Sequence, residues 1–149
     1  MNNDYGFAEK HEAVLCLLDE IDRLCRENGI KYMPFVGEIH DRPSVLEGTC
    51  EEMILQAREY LAKGVYGIDL LGYRYTGDAA RLNEEFVRAV DAPVCIAGSI
   101  NGYQRLNEIR KAAPWAFTIG SAFFENKFDG NFGEQINKVC QYIKREKIT

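Results

Sequence analysis

Two stretches of this 149-residue chain place glycine and serine directly after an apolar run: Ala97-Gly98-Ser99-Ile100-Asn101 and Ile119-Gly120-Ser121-Ala122. A glycine lets an anion come close to backbone N–H groups, and a helix starting there turns its free N–H groups and positive dipole end toward the same point. Two such turns at consecutive strand ends would form a phosphate cup from Gly98, Ser99, Asn101, Gly120 and Ser121; alternatively, the glycines only permit tight turns. A second group of residues could move a proton. Glu38, His40 and Asp41 end one apolar run, Asp69 lies inside another, and Tyr73, Arg74 and Asp78 follow it. A carboxylate such as Glu38 or Asp69 in a partly desolvated pocket holds a raised pKa and can act as general base beside a carbonyl. His40 is the alternative base, and Arg74, with Tyr73 beside it, would pair with an anionic substrate. Proton abstraction or aldol-type cleavage of a sugar phosphate fits this set. The plainer alternatives are a polar turn at His40-Asp41-Arg42 before Pro43 and a helix N-cap at Asp78.

The elements that must position these residues follow from periodicity. Val14, Leu15, Leu17, Leu18, Ile21, Leu24 and Cys25 recur as one helical face between about Phe7 and Asn28, and Gly29 ends that helix. The following Ile30 to Ile39 is short and apolar enough for a first buried strand. Thr49 with Glu51 and Glu52 opens a helix that runs to Lys63 and closes at Gly64; Val65 to Leu71 is then a second strand. Helices over Ala79 to Val90 and Gln104 to Ala112 alternate with strands over Val94 to Gly98 and Trp115 to Ile119, and a last helix covers Phe132 to Arg145. This alternation predicts an α/β fold with four parallel strands whose crossover helices cover both faces. Ligand chemistry in such sheets sits at the C-terminal strand ends.

The composition is that of one globular domain spanning 1–149, with 46% hydrophobic and 28% charged residues. A formal charge of −5 gives no electrostatic footprint for nucleic acid or an anionic membrane. Five cysteines without a CxxC pair suggest neither a disulfide framework nor a zinc knuckle, and Cys16, Cys95 and Cys140 sit in apolar runs as small hydrophobes. The first residues carry no apolar signal core, which points to the cytoplasm. No metal is expected: His40, Asp41 and Asp69 lack ligand spacing, and His11 falls on a charged, solvated helix.

From about Phe35 to Phe128 the chain resembles the C-terminal half of a ribulose-phosphate-binding (β/α)8 barrel. LLGYRYTGD, PVCIAGSING and AFTIGSAFF are most similar to N-acetylmannosamine-6-phosphate 2-epimerases. The resemblance implies a half-barrel with an extra N-terminal helix and a phosphorylated small molecule as partner. It further implies isomerase, epimerase or lyase chemistry without a cofactor. Where those epimerases carry an acidic residue and Gly-Arg, this chain has Ala97, Gly98 and Ser99, and their lysine has no counterpart. A catalytically silent barrel-derived scaffold, natural or engineered, is therefore the alternative. AVLCLLDEIDRLCRENGIKY is similar to the opening helix of LicD-type phosphocholine transferases, without that family's glycine-rich turn and aspartates. A closed barrel needs about 200 residues, so a half-barrel of this kind predicts a homodimer that completes it.

Overall fold

A computed structural model describes residues 4–144 and the side chains of 11–144. Helix α1 (Asp4–Glu27) ends as expected: Gly29 adopts φ +68, its N–H donates to the Arg26 carbonyl, and the Ile30 N–H donates to the Cys25 carbonyl at 2.8 Å. These paired bonds satisfy the last helical carbonyls.

The segment 30–39 departs from the expected strand. Pro34 has no N–H to donate, so a regular ladder cannot run through it. It accepts instead: the Tyr66 N–H donates to the Tyr32 carbonyl (3.0 Å) and the Asp69 N–H to the Pro34 carbonyl (2.9 Å), leaving one parallel bridge between Phe35 and Asp69. Gly37, at φ +84 with no room for a Cβ beside Leu46, then turns the chain into β1 (Glu38–His40). β1 pairs antiparallel with β2 (Val45–Glu47), a hairpin the periodicity does not predict.

Helix α2 (Cys50–Lys63) starts where its capping residues place it. The Thr49 hydroxyl accepts from the Glu52 N–H, the Glu52 carboxylate accepts from the Thr49 N–H, and Gly64 closes the helix in the left-handed region. Thr49→Ala is expected to lower stability by about 1 kcal/mol, read as a shift of the urea midpoint at unchanged slope.

The parallel sheet contains β3 (Ile68–Leu70), β4 (Val94–Ile96) and β5 (Ala116–Phe117) in that order, where four regular strands were expected. A 3-10 turn at Gly72–Arg74 follows β3. Helices α3 (Ala79–Ala89), α4 (Tyr103–Ala112) and α6 (Phe132–Lys144) continue from α1 and α2 as one layer, each packed on the next. Sequential strands joined by right-handed crossovers put all their helices on one face. The side chains agree: Ile68, Leu70, Val94 and Ile96 are buried beneath the layer with Met53, Phe86 and Leu106. Phe35, Asp69, Cys95 and Ala116, joined by bridge and register, share the opposite face. Phe35 there keeps 48% of its surface exposed. The expectation that helices cover both faces is therefore corrected to one face covered by helices and one open face without a helix layer among the described residues, on which Phe35 is exposed and Cys95 is buried. The protein is mixed α/β, and its sheet is not closed into a barrel.

All five cysteines are free, but only Cys95 is buried; Cys16 and Cys140 are exposed, against the expectation for their apolar runs. Among the described residues no helix is long and apolar enough to cross a membrane.

Candidate functional site

β4 and β5 lie side by side with Cys95 opposite Ala116 and Ile96 opposite Phe117, and the Thr118 N–H extends the ladder to the Ile96 carbonyl at 3.0 Å. Both Gly-Ser turns therefore leave the same edge of the sheet. After β4 the chain bends at Gly98 (φ +87) and Ser99 (φ +23), buries Ile100, and enters α4 behind Gly102. After β5 it enters α5 (Ser121–Phe124), a single turn behind Gly120. Neither Gly102 nor Gly120 supplies a side-chain cap. The first helical bonds run from the Leu106 N–H to Gly102 and from the Phe123 N–H to Gly120, so the amides of Tyr103, Gln104, Arg105, Ser121 and Ala122 precede any helical partner. Ser99, Asn101, Gly120 and Ser121 are exposed. Helix α5 was not legible in the sequence because four residues are too few for a periodic signal.

Arg74 joins this edge. A Cβ on Gly98 would come within 2.8 Å of the Arg74 Cγ and 3.3 Å of the Leu71 Cδ1, so the arginine stem lies directly on Gly98. The Gly98 turn thus depends on glycine twice, for its positive φ and for this approach. Tyr73, the neighbouring candidate for substrate contact, points elsewhere. It is buried, its hydroxyl donates to the Arg105 carbonyl (3.4 Å), and the Arg105 guanidinium stacks 4.4 Å from the ring centroid. Burial pushes its pKa up to about 12. Tyr73 fastens the 3-10 turn to α4, which corrects its expected place beside Arg74 as a substrate contact.

Asp69 sits at the middle of β3, between Phe35 and Cys95 on the open face. Its Oδ1 is buried without a hydrogen-bond partner, and desolvation alone raises the carboxyl pKa to about 6. That value suits a group that exchanges protons near neutral pH. The neighbouring Cys95 thiol is pushed up to about 11, chiefly by burial. This thiol stays protonated and serves as packing.

Glu38 and His40 are not brought to Asp69. Both belong to the separate hairpin, and every residue of β1 is exposed, so the desolvated pocket expected for Glu38 is absent. His40 lies between two carboxylates, Nδ1 3.0 Å from Asp41 and Nε2 3.2 Å from Glu47. Its pKa is raised, mainly by the bond to Glu47 and then by that to Asp41, which favours imidazolium over the neutral base. Asp78 accepts from the Arg81 N–H at 3.0 Å and caps α3, its structural alternative. His11 lies 3.3 Å from Glu59. Among the described residues no three His, Cys, Asp or Glu side chains are grouped to hold a metal.

No protein-family model matches the chain, and no characterised protein sequence matches it at a significant level.

Proposed function

We propose that the protein binds a phosphorylated small molecule, a sugar phosphate by preference, at the edge formed by the ends of β4 and β5. One observation carries this reading: the Gly98-Ser99 and Gly120-Ser121 turns leave adjacent parallel strands, each leads to a helix start without a side-chain cap, and Arg74 lies against Gly98. The unpartnered amides supply donors, and the arginine supplies the charge. Asp69 is level with Cys95, three residues below Gly98, which is about 10 Å along the strands. That spacing matches a short sugar phosphate held by its phosphate with its carbonyl end toward Asp69. Asp69 would then remove a proton beside the carbonyl, the step shared by isomerases, epimerases and aldol-type lyases.

A second reading, a binding scaffold without turnover, is favoured by the placement of Glu38 and His40 away from Asp69. Among the described residues, a proton shuttle that must also deliver its proton to a second position finds one carboxyl, Asp69, between Phe35 and Cys95 on the open face.

The test is a thermal-shift titration with inorganic phosphate and a panel of sugar phosphates. A ligand that binds only the folded state raises the midpoint by mass action, by about 2.7 kcal/mol of stability at a hundredfold excess over Kd. The informative control is Gly120→Asp, because Gly120 has negative φ and open space where its Cβ would sit. The variant, with an added carboxylate at the mouth of the cup, should keep the circular dichroism of the unmodified protein and lose the shift. Absence of any saturable shift in the unmodified protein would refute the binding site. Binding without Asp69-dependent turnover would establish the scaffold.

A further inference from the structure

Among the described residues, three apolar features of the helical layer stand without a covering partner. First, the apolar face of α1 is wider than α2 can cover. Leu15 and Leu18 turn into the core, whereas Val14, Leu17, Ile21 and Leu24 form an exposed stripe at 3–4-residue spacing, with Leu17 63% exposed. Second, α6 at the other end of the layer presents Phe132, Ile136 and Cys140 as an exposed ridge at four-residue spacing, and Phe124 stands beside it. Third, next to β5, Ile109, Trp115, Phe117 and Ile143 line an open groove. The last two lie at the α6 end of the layer, and the first lies at the α1 end.

We propose that a second copy of the chain fills these surfaces, with α1 of each copy packed along α6 of the other about a two-fold axis. Helices in this layer follow the order α1, α2, α3, α4, α6, so the next helix after α6 would be the partner's α1. The same closure sets the partner's 32–35 segment toward the free edge of β5 and encloses the open sheet face with Phe35. Parallel sheets are normally buried on both faces, and closure by a second copy achieves that without another layer. The two helices carry net charges of opposite sign, although Asp19, Glu20, Asp22 and Glu27 already pair with Lys63, Arg23 and Arg26. Residues 11–27 carry five acids (Glu12, Asp19, Glu20, Asp22, Glu27) against Arg23 and Arg26, net −3, whereas residues 132–144 carry Glu134 against Lys138 and Lys144, net +1. A stable dimer buries about 1,200–2,000 Å² in total, and two-fold symmetry uses the α1–α6 contact twice, so each contact supplies only half of that area. The pairing of α1 with its own copy would leave the α6 ridge, the groove and the sheet face uncovered. The dimer rests on the fold and not on phosphate binding, so either can fail without the other.

Sedimentation equilibrium on the full chain tests it. The unmodified protein should have twice the chain mass at micromolar concentration. Leu17→Glu and Ile136→Lys should each be monomeric with unchanged helical circular dichroism, since both side chains are solvent-accessible in a single copy. Mixing the two variants should restore a dimer, because one contact is then unaltered and the other sets the introduced glutamate of one copy against the introduced lysine of the other. A monomeric unmodified protein at 100 µM would overturn the proposal. So would a dimer that Leu17→Glu breaks and Ile136→Lys does not, which would indicate α1 pairing with α1, or one that neither variant breaks. A mixture that stays monomeric would overturn the α1–α6 pairing.

Discussion

Phe86→Ala should cost about 3–5 kcal/mol, a large share of the 5–15 kcal/mol that typically separates folded from unfolded domains. Phe86 is fully buried on α3, the helix that packs against both α2 and α4. Truncation removes the ring from water-excluded surroundings and leaves a cavity that flanking β-strands and helices can refill only in part. Urea denaturation should show a lower midpoint with an unchanged slope. Leu55→Ala, on the exposed side of α2, should change stability by no more than about 0.5 kcal/mol. Equal effects from the two substitutions would contradict the layer described above. Because α4 also presents the amides beside Gly102, phosphate binding by the Phe86 variant should weaken as its folded population falls.

Asp69→Asn should stabilise the protein at pH 7 and flatten its pH dependence between about 4 and 6. Burial raises the Asp69 pKa to about 6 from an ordinary value of 3.8. Below 3.8 the carboxyl is protonated in both the folded and unfolded chain and has no effect. Between these values the unfolded chain releases the proton while the folded chain retains it, so stability falls as pH rises. Above about 6 both states are ionised and the full penalty is present. At about 1.4 kcal/mol per pKa unit, reduced for partial solvent access, that penalty is about 2 kcal/mol at pH 7. Chemical denaturation at pH 4.5 and 7 should therefore show a decline in the unmodified protein that Asp69→Asn lacks. Identical pH profiles for the two proteins would remove Asp69 as a perturbed carboxyl, and with it the proton-transfer part of the proposed function. An aspartate kept at this stability cost, on a face otherwise formed by Phe35, Cys95 and Ala116, is what a functional residue would look like.

The elements most legible in the sequence were those with end signals. Thr49 with Glu52, and Asp78, mark helix starts through side-chain hydrogen bonds, and Gly29 and Gly64 mark helix ends by adopting the positive φ that lets a backbone N–H close the last turn. The hairpin was illegible because three-residue strands carry no periodicity, and because IKYMPFVGEI reads as a continuous apolar run until the missing N–H of Pro34 is counted. The number of covered faces was illegible for a different reason. Apolar residues on both faces of a strand imply that both must be buried, but not that the same chain buries them. The width of the α1 stripe belongs to the same problem, since the sequence placed Val14 and Leu18 on one face and only the fold separates them. At the site, Asp69, Arg74 and the two Gly-Ser turns occupy the open face or the same sheet edge. Tyr73 was misplaced because its aromatic ring finds the Arg105 guanidinium and a buried position against α4, and no local pattern encodes that contact. Glu38 and His40 were grouped with Asp69 because their two apolar runs read as strands of one parallel sheet, but Gly37 turns the first run into the β1–β2 hairpin.

Backbone amide chemical shifts measured during titration with inorganic phosphate locate the binding site residue by residue. The expected result is saturable movement of the Gly98, Ser99, Gly102 to Arg105 and Gly120 to Ala122 amides, abolished in Gly120→Asp, with the amides of the β1–β2 hairpin unmoved. Saturable movement confined to other surfaces, or no movement at millimolar phosphate, would contradict a phosphate cup at the ends of β4 and β5.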